Sequence, residues 1–147
     1  IVAQNPVQAR LIRTAREVND SKPHWVLEQV QRQVADCLMS NNKRASELKI
    51  ASVGLADKPD IDDLRESPAV QVTKMIADWH QGTTLVVEPN VQQLPAKLQD
   101  SVTLMTLDDA LQQADVLVML VDHRDFKAID PTAVSQQWIV DTKGVWR

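Results

Sequence analysis

The stretch KIASVGLADKPDIDDLRESPAV, residues 49–70, decides how this chain folds. It begins with a mostly apolar run, residues 50–55, which has the length of a strand and is followed by turn-forming residues. Gly54 lies near the end of that run, and an Asp-rich loop comes next. Ser67 is a good helix N-cap and Pro68 suits the first helical position, so a helix should begin there. The stretch therefore predicts a strand, a loop and a helix.

The loop of this stretch is also the first candidate for a binding site. In open α/β sheets, ligands bind where such loops leave the carboxyl ends of the strands. Lys58 and Arg65 lie in the loop, just before the predicted helix. Basic side chains beside the amides of a helix N-terminus favour an anionic ligand.

The rest of the chain after residue 43 alternates short apolar runs with helical stretches, a pattern typical of a parallel α/β sheet. Strands are expected at about 49–54, 84–88, 102–105, 116–121 and 137–140, and helices at about 68–80, 107–114 and 123–127. The run at 116–121 is the most continuous and should form a central strand buried on both faces. The predicted fold class is α/β, a Rossmann-like three-layer parallel sheet.

A long helical segment precedes this sheet. Apolar residues recur at helical spacing in two stripes, first Val7, Leu11, Ala15 and Val18, then Val26, Val30, Val34, Cys37 and Leu38. Polar residues 19–21 and Pro23 separate the stripes, so residues 6–40 form one long kinked helix or two consecutive helices. We expect a helical segment at 1–43 and an α/β domain at 44–147.

The length, net charge and cysteine content of the chain argue against several classes of protein. A chain of 147 residues is long enough for one domain, and a net charge of −4 argues against general nucleic-acid binding. No apolar run approaches the length that spans a bilayer, and no signal-peptide pattern is present. A single cysteine fits a reducing cytoplasm. Because the chain starts with Ile1, we expect it to be a fragment.

The segment GLADKPDIDDLRESPA, residues 54–69, closely resembles the GxAFKxxTxDxRxSPA signature of the nucleotide-sugar 6-dehydrogenases, the family that includes UDP-glucose dehydrogenase. The resemblance continues in ARLIRTAREVNDSKP, LVVEPN, ADVLVMLVDH and VDTKGVWR. It covers essentially the whole chain but only the C-terminal part of the family's enzymes. Within the family it points to the branch that oxidises UDP-N-acetyl-D-mannosamine for bacterial surface polysaccharides.

The resemblance implies roles for individual residues. Lys58, and Lys143 after the last strand, should contact the UDP-sugar, since a diphosphate favours point charges near helix amides. The alternative is that both are solvated surface lysines. Arg65 should reach across a domain cleft towards NAD, or form a local ion pair with neighbouring carboxylates.

Asp57 departs from the family pattern, which usually has Phe there, and Ile61 replaces a Thr. A carboxylate beside Lys58 would neutralise part of the lysine's charge and repel a diphosphate. We therefore predict weakened nucleotide binding at Asp57 and Lys58.

Other polar residues carry weaker hypotheses. Asp60, Asp62 and Asp63 could attract Mg²⁺ or Ca²⁺ but match no complete ligand pattern, and Asp63 fits a loop-bracing role better. Cys37 lies in an apolar stripe and should be a small buried hydrophobe. The three histidines show no metal or triad spacing and should be surface or structural. The four tryptophans should pack helices and the final strand, although Trp146 at the terminus could mark a lost interface.

Two function hypotheses follow. In the first, the chain is the UDP-binding domain of an NAD-dependent dehydrogenase, together with part of a central helix that joins two domains and helps form a homodimer. It lacks the family's catalytic Cys motif and contains no GxGxxG, so it should be inactive alone and should not bind NAD without the missing NAD-binding domain. In the second, the chain is a non-catalytic α/β oligomerisation or scaffold module.

Overall fold

The computed structural model describes residues 6–56, 67–89, 91, 93–134, 137–143 and 146, with side chains from residue 22 onward. Its helices are α1 (Pro6–Ser40), α2 (Pro68–Trp79), α3 (Ala96–Gln99), α4 (Leu107–Gln113) and α5 (Arg124–Lys127). Its strands are β1 (Lys49–Val53), β2 (Thr83–Val87), β3 (Thr103–Leu104), β4 (Val116–Met119) and β5 (Trp138–Asp141). Short 3-10 turns lie at Ala45–Glu47 and Pro131–Val134.

The five described strands form one parallel sheet in the order β3-β2-β1-β4-β5. Each predicted strand is present, and the α/β prediction is confirmed. The strand predicted at 116–121 ends earlier, at Met119. The reason is that the amides of Leu120 and Val121 both turn to the carbonyl of Val53. Helix α3 was missed, because four residues are too short to show a helical period.

Helix α1 is one continuous helix that contains Pro23, which decides between the two alternatives for the first 40 residues. Its second apolar stripe packs on one face of the sheet, where Val26, Val30, Val34 and Cys37 share a core with residues of β1, α2, β4 and β5. The side chains of the first stripe lie outside the described part of the structure. Among the described residues, no helix combines the length and apolar character that crossing a membrane requires.

The opposite face of the sheet carries the second half of the core. Ala110 of α4 and Phe126 of α5 pack there against Ala51, Val53 and other residues of β1, β2 and β4. Successive residues of a strand point to opposite faces, and in β1 Ile50 faces α1 and α2 while Ala51 faces α4. The helices therefore cover both faces of the sheet and give the expected three layers.

Three expectations about aromatic and sulfur side chains were also tested. Cys37 is fully buried as predicted, and burial raises the pKa of its thiol. The four tryptophans were expected to pack helices and the final strand, but Trp25 and Trp79 leave much of their surface in solvent, at 53% and 38% exposed. The suggestion of a lost interface at Trp146 was wrong. That side chain is buried, and its indole N–H donates to the carbonyl of Phe126 at 3.0 Å.

Candidate functional site

The strand order creates a crevice at one edge of the sheet. After β1 the chain moves to β2 and β3 on one side, whereas β4 is followed by β5 on the other side. Neighbouring loops therefore diverge at the carboxyl ends of β1 and β4, and open α/β sheets bind ligands at such a topological switch point. This is the place that the sequence predicted for a ligand.

A cavity of about 360 Å³, which we call the carboxyl-edge cavity, opens at this switch point. Its walls come from five segments: α1 at Lys22, the turn after β1 at Ala56, the first turns of α2, the turn after β4 at Asp122, and the turn after β5 at Lys143. The polar side chains stand among apolar ones such as Val72 and Leu120. The volume lies at the lower end of the range found for small-molecule sites.

The turn after β5 presents Lys143 to this cavity. Asp141 accepts the Lys143 amide at 3.0 Å through Oδ1 and the Trp146 amide at 2.7 Å through Oδ2. Thr142 fastens the same turn to β4, since its hydroxyl donates to the carbonyl of Met119 at 2.7 Å. The backbone is thereby held at the cavity wall, while the Lys143 side chain stays exposed. The structure thus brings one of the predicted residues to the switch point.

Lys22 was not predicted, yet it lines the same cavity as Lys143. Nothing local in the sequence distinguishes it from other surface lysines, because its position depends on how α1 docks on the sheet. The two ammonium groups share the cavity with one described carboxylate, Asp122, whose Oδ2 lies 4.0 Å from Lys127 Nζ. The described charges of the cavity therefore suit an anion.

The remaining predicted site residues, Asp57, Lys58 and Arg65, lie outside the described residues, as do Asp60, Ile61, Asp62 and Asp63. Both ends of their loop are described. Gly54 turns at a φ of 97° after β1, and a Cβ there would lie 2.6 Å from the Cβ of Val121. Ser67 caps α2 as predicted, accepting the amide of Ala69 at 3.2 Å. Elsewhere in the described chain, no cluster of three metal-ligating side chains occurs.

A buried polar pair beside the described start of this loop was not predicted from the sequence. Glu88 follows β2 and His123 follows β4, and Glu88 Oε1 lies 2.8 Å from His123 Nε2. Both side chains are buried, with the two residues 3% and 1% exposed. The expectation that the histidines are surface or structural holds for His123 and for His80, whose buried ring contacts the carbonyl of Leu48 at 2.8 Å. The available signal was a glutamate directly after an apolar strand.

A second cavity, of about 470 Å³, lies at the carboxyl ends of β2 and β3 on the α4 side. It is larger, but its described ionisable lining residues are all acidic: Glu88, Asp108 and Asp125. Carboxylates repel a phosphate, so this cavity is the poorer candidate for an anionic ligand. We therefore assign the candidate site to the carboxyl-edge cavity.

The turn between β1 and α2 does not fit a dinucleotide. A dinucleotide-binding turn needs several closely spaced glycines and an acidic residue after β2 that is available to a ribose. The chain has three glycines in total, and only Gly54 lies in this turn. Glu88 occupies the acidic position but accepts the chain's own amides of Leu55 and Ala56 at 2.8 and 2.9 Å. The described start of this turn, residues 54–56, therefore lacks the glycine-rich pattern of a dinucleotide-binding turn.

Known dehydrogenases resemble this chain in sequence over essentially its whole length. The chain is 69% identical over all 147 residues to UDP-N-acetyl-D-mannosamine dehydrogenase of Salmonella typhi, of which it covers 35%. It is 45% identical over 146 residues, 99% of its length, to an NDP-N-acetyl-D-galactosaminuronic acid dehydrogenase of Ralstonia nicotianae, of which it covers 32%. The chain thus spans about a third of the length of these relatives.

The solved structure of a UDP-N-acetyl-mannosamine dehydrogenase from Staphylococcus aureus superimposes with a TM-score of 0.73 at 27% identity, covering 97% of this chain and 31% of that one. These matches do not favour the alternative of an independent scaffold module. The model of the UDP-glucose/GDP-mannose dehydrogenase family, UDP binding domain, matches residues 51–147. The chain therefore belongs to the UDP-glucose/GDP-mannose dehydrogenase family and contains that family's UDP binding domain.

Proposed function

We propose that the chain binds the diphosphate of a UDP-sugar in the carboxyl-edge cavity. The observation that carries this proposal is the meeting of Lys22 and Lys143, from opposite ends of the sequence, at the switch point of the sheet. Ammonium groups stabilise phosphate oxygens by charge-assisted hydrogen bonds. The family's UDP binding domain, which matches residues 51–147, supports UDP as the nucleotide.

The proposal extends to the loop between β1 and α2. Lys58 would add a third cation to the diphosphate site, Asp57 would weaken it by repulsion, and Arg65 would face NAD held by another part of a longer protein. This assignment rests on the motif at 54–69 and on the position of the loop's two ends at the cavity.

The parent reaction we propose is the oxidation of the 6-hydroxymethyl group of UDP-N-acetyl-D-mannosamine to a carboxylate, with NAD as the oxidant, in the synthesis of surface polysaccharide. High identity to dehydrogenases of that name supports this substrate. NAD does not fit the turn after β1, so residues outside 44–147 would hold it and supply the catalytic Cys. The 147 residues alone should bind nucleotide without turnover. We propose the cytoplasm as the site of this reaction, in keeping with the single cysteine of the chain.

Isothermal titration of UDP into the chain tests the binding proposal. Replacing Lys143 with Ala should weaken UDP binding about tenfold, because a charge-assisted hydrogen bond contributes about 1.5–3 kcal/mol. Lys97→Ala is the matched control: it removes the same charge from an exposed side chain at α3, away from the described lining of the cavity. Equal affinities for the Lys143→Ala variant and the unmodified chain would remove Lys143 from the site.

We also propose that α1 takes part in a homodimer. It is a continuous helix of 35 residues, about 50 Å long, and Trp25 and Met39 on it are 53% and 88% exposed. Large exposed apolar side chains on one element favour a protein interface. Sedimentation velocity should show a dimer for the whole chain and a monomer for the double variant Trp25→Glu and Met39→Glu, because an interface disfavours unpaired buried charges. A dimer that persists in this double variant would contradict a role of these two side chains in the interface.

A further inference from the structure

The start of the loop between β1 and α2 is held by a single carboxylate oxygen. Glu88 Oε1 accepts the amides of Leu55 and Ala56 at 2.8 and 2.9 Å, and it lies 2.8 Å from His123 Nε2. Two backbone amides donate to this oxygen and a ring nitrogen of His123 lies beside it, so the carboxyl oxygen acts as an acceptor at the centre of the junction. The pair thus joins the turns that follow three neighbouring strands, β1, β2 and β4.

The other end of the loop is tied to the same point. The hydroxyl of Ser67 donates to the carbonyl of Leu55 at 2.5 Å, which closes a ring of backbone from Leu55 to Ser67. Gly54 adds a third tether, since its amide donates to the carbonyl of Val87 at 2.8 Å. The loop that contains Lys58 and Arg65 therefore leaves from and returns to one buried junction.

We propose that Glu88 and His123 are positioning residues for nucleotide binding, which they serve by fixing the backbone of Leu55 and Ala56 at the wall of the carboxyl-edge cavity. This inference rests on the proposed function of that cavity. Ala56 connects the two, because it donates to Glu88 and also lines the cavity. A shift of the Ala56 backbone would move the cavity wall and the start of the loop together.

The energetics favour a positioning role over a purely structural one. Burying a carboxylate and an imidazole is expensive, and an apolar pair of similar volume commonly stabilises a core equally well or better. The sheet has such apolar packing elsewhere on the α4 side, for example at Phe126 and Met119. A polar pair at the ligand edge, bonded to the two residues that begin the loop, gives that junction one defined geometry.

A second buried histidine, His80, serves as a control for the replacement of His123. His80 is 8% exposed and its Nε2 lies 2.8 Å from the carbonyl of Leu48, directly before β1 and thus at the amino edge of the sheet. Replacing His80 with Phe removes its contact with the Leu48 carbonyl, and replacing His123 with Phe removes its contact with Glu88. Only the replacement of His123 removes a partner of Glu88.

The test measures UDP affinity by calorimetry and thermal stability for His123→Phe, His80→Phe and Glu88→Gln in the 147-residue chain. His123→Phe and Glu88→Gln should raise the Kd for UDP about tenfold, as expected for a misplaced site, and should speed amide exchange at Leu55 and Ala56. His80→Phe should lower Tm to a similar degree and leave the Kd within about twofold. Glu88→Gln retains the side-chain length, so it carries the test if His123→Phe fails to fold.

The outcomes separate the two proposals. If the unmodified chain binds UDP and both His123→Phe and Glu88→Gln bind it equally well, the positioning role is wrong and the proposed function stands. If His80→Phe weakens UDP as much as His123→Phe does, the effect reflects stability alone and the positioning role is also wrong. If the folded, unmodified chain does not bind UDP, the proposed function fails and this inference fails with it.

Discussion

Gly54 shows how a single residue shapes the candidate site. Its φ of 97° lies in the left-handed region, and the position of its missing Cβ would be 2.6 Å from the Cβ of Val121. The turn after β1 can pass beneath the turn after β4 only because no side chain is present. The sequence indicated a glycine at a strand end but not this contact, which joins residues 67 positions apart and depends on the pairing of β1 with β4.

Replacing Gly54 with Ala should therefore lower the free energy of unfolding by at least about 2 kcal/mol, through backbone strain and crowding together. Urea unfolding of the variant measures the loss. A variant as stable as the unmodified chain would show that the two turns can separate without penalty.

The sequence predicts that Asp57, which lies outside the described residues, weakens UDP binding. Replacement by Phe removes a carboxylate next to Lys58 in the chain, so UDP should bind several-fold more tightly to Asp57→Phe. Titration calorimetry of both chains gives the ratio, and an Asp125→Phe variant at the second cavity controls for the lost charge. Equal affinities for Asp57→Phe and the unmodified chain would remove the proposed repulsion.

Lys43 and Asp115 form an ion pair at the amino edge of the sheet. The contribution of this pair to the stability of the fold depends on pH. Lys43 Nζ lies 2.7 Å from Asp115 Oδ1, and this hydrogen bond and the charge of Asp115 raise the pKa of Lys43. Because the folded pKa lies above the unfolded one, the pair stabilises the fold below the unfolded pKa. That contribution is lost as the pH rises through the folded pKa.

Lys43→Met should thus lower stability at neutral pH by less than about 1 kcal/mol, since the Lys43 side chain is 44% exposed. Urea unfolding across the alkaline range should show this difference disappearing, with Lys97→Met as the control for a lost lysine. A difference that persists after lysines deprotonate would contradict the ion pair as its cause.

Helix α1 shows what the sequence predicted well at the level of elements and where it failed. The spacing of Val26, Val30, Val34 and Cys37 predicted the buried face, and each of the four is buried. Whether Pro23 divides the segment could not be read from the residues, because a proline lowers helix stability without always ending the helix. The contact of Lys22 with the cavity likewise depends on docking of α1 against the sheet.

Val30 tests whether α1 belongs to the core. It is fully buried, so Val30→Ala should lower the free energy of unfolding by about 2–3 kcal/mol, from lost burial and the cavity left behind. Glu28→Ala on the same helix is the control, because an exposed side chain should change stability by no more than about 0.5 kcal/mol. Similar small losses in both variants would mean that α1 is not packed as described.

Over the whole molecule, the alternation of apolar runs predicted the parallel sheet and its ligand edge, and the motif at 54–69 predicted the family. Lys143 was predicted from the resemblance to the family, in the segment VDTKGVWR. The pairing of Glu88 with His123 could not be predicted, since it spans 35 positions and follows from the placing of β1 between β2 and β4. Local sequence patterns thus predict the carboxyl edge of the sheet, whereas the order of the strands determines which side chains meet there.

The most direct test of the central claim is an NMR titration of UDP into the isotope-labelled chain, with NAD titrated separately as a control. The account predicts that UDP shifts the amides of Ala56, Val121 and Lys143 at the carboxyl-edge cavity and leaves Thr106 and Leu107 at the second cavity unchanged. No shifts in a folded sample, or shifts confined to the second cavity, would contradict the claim that the carboxyl-edge cavity is the nucleotide site.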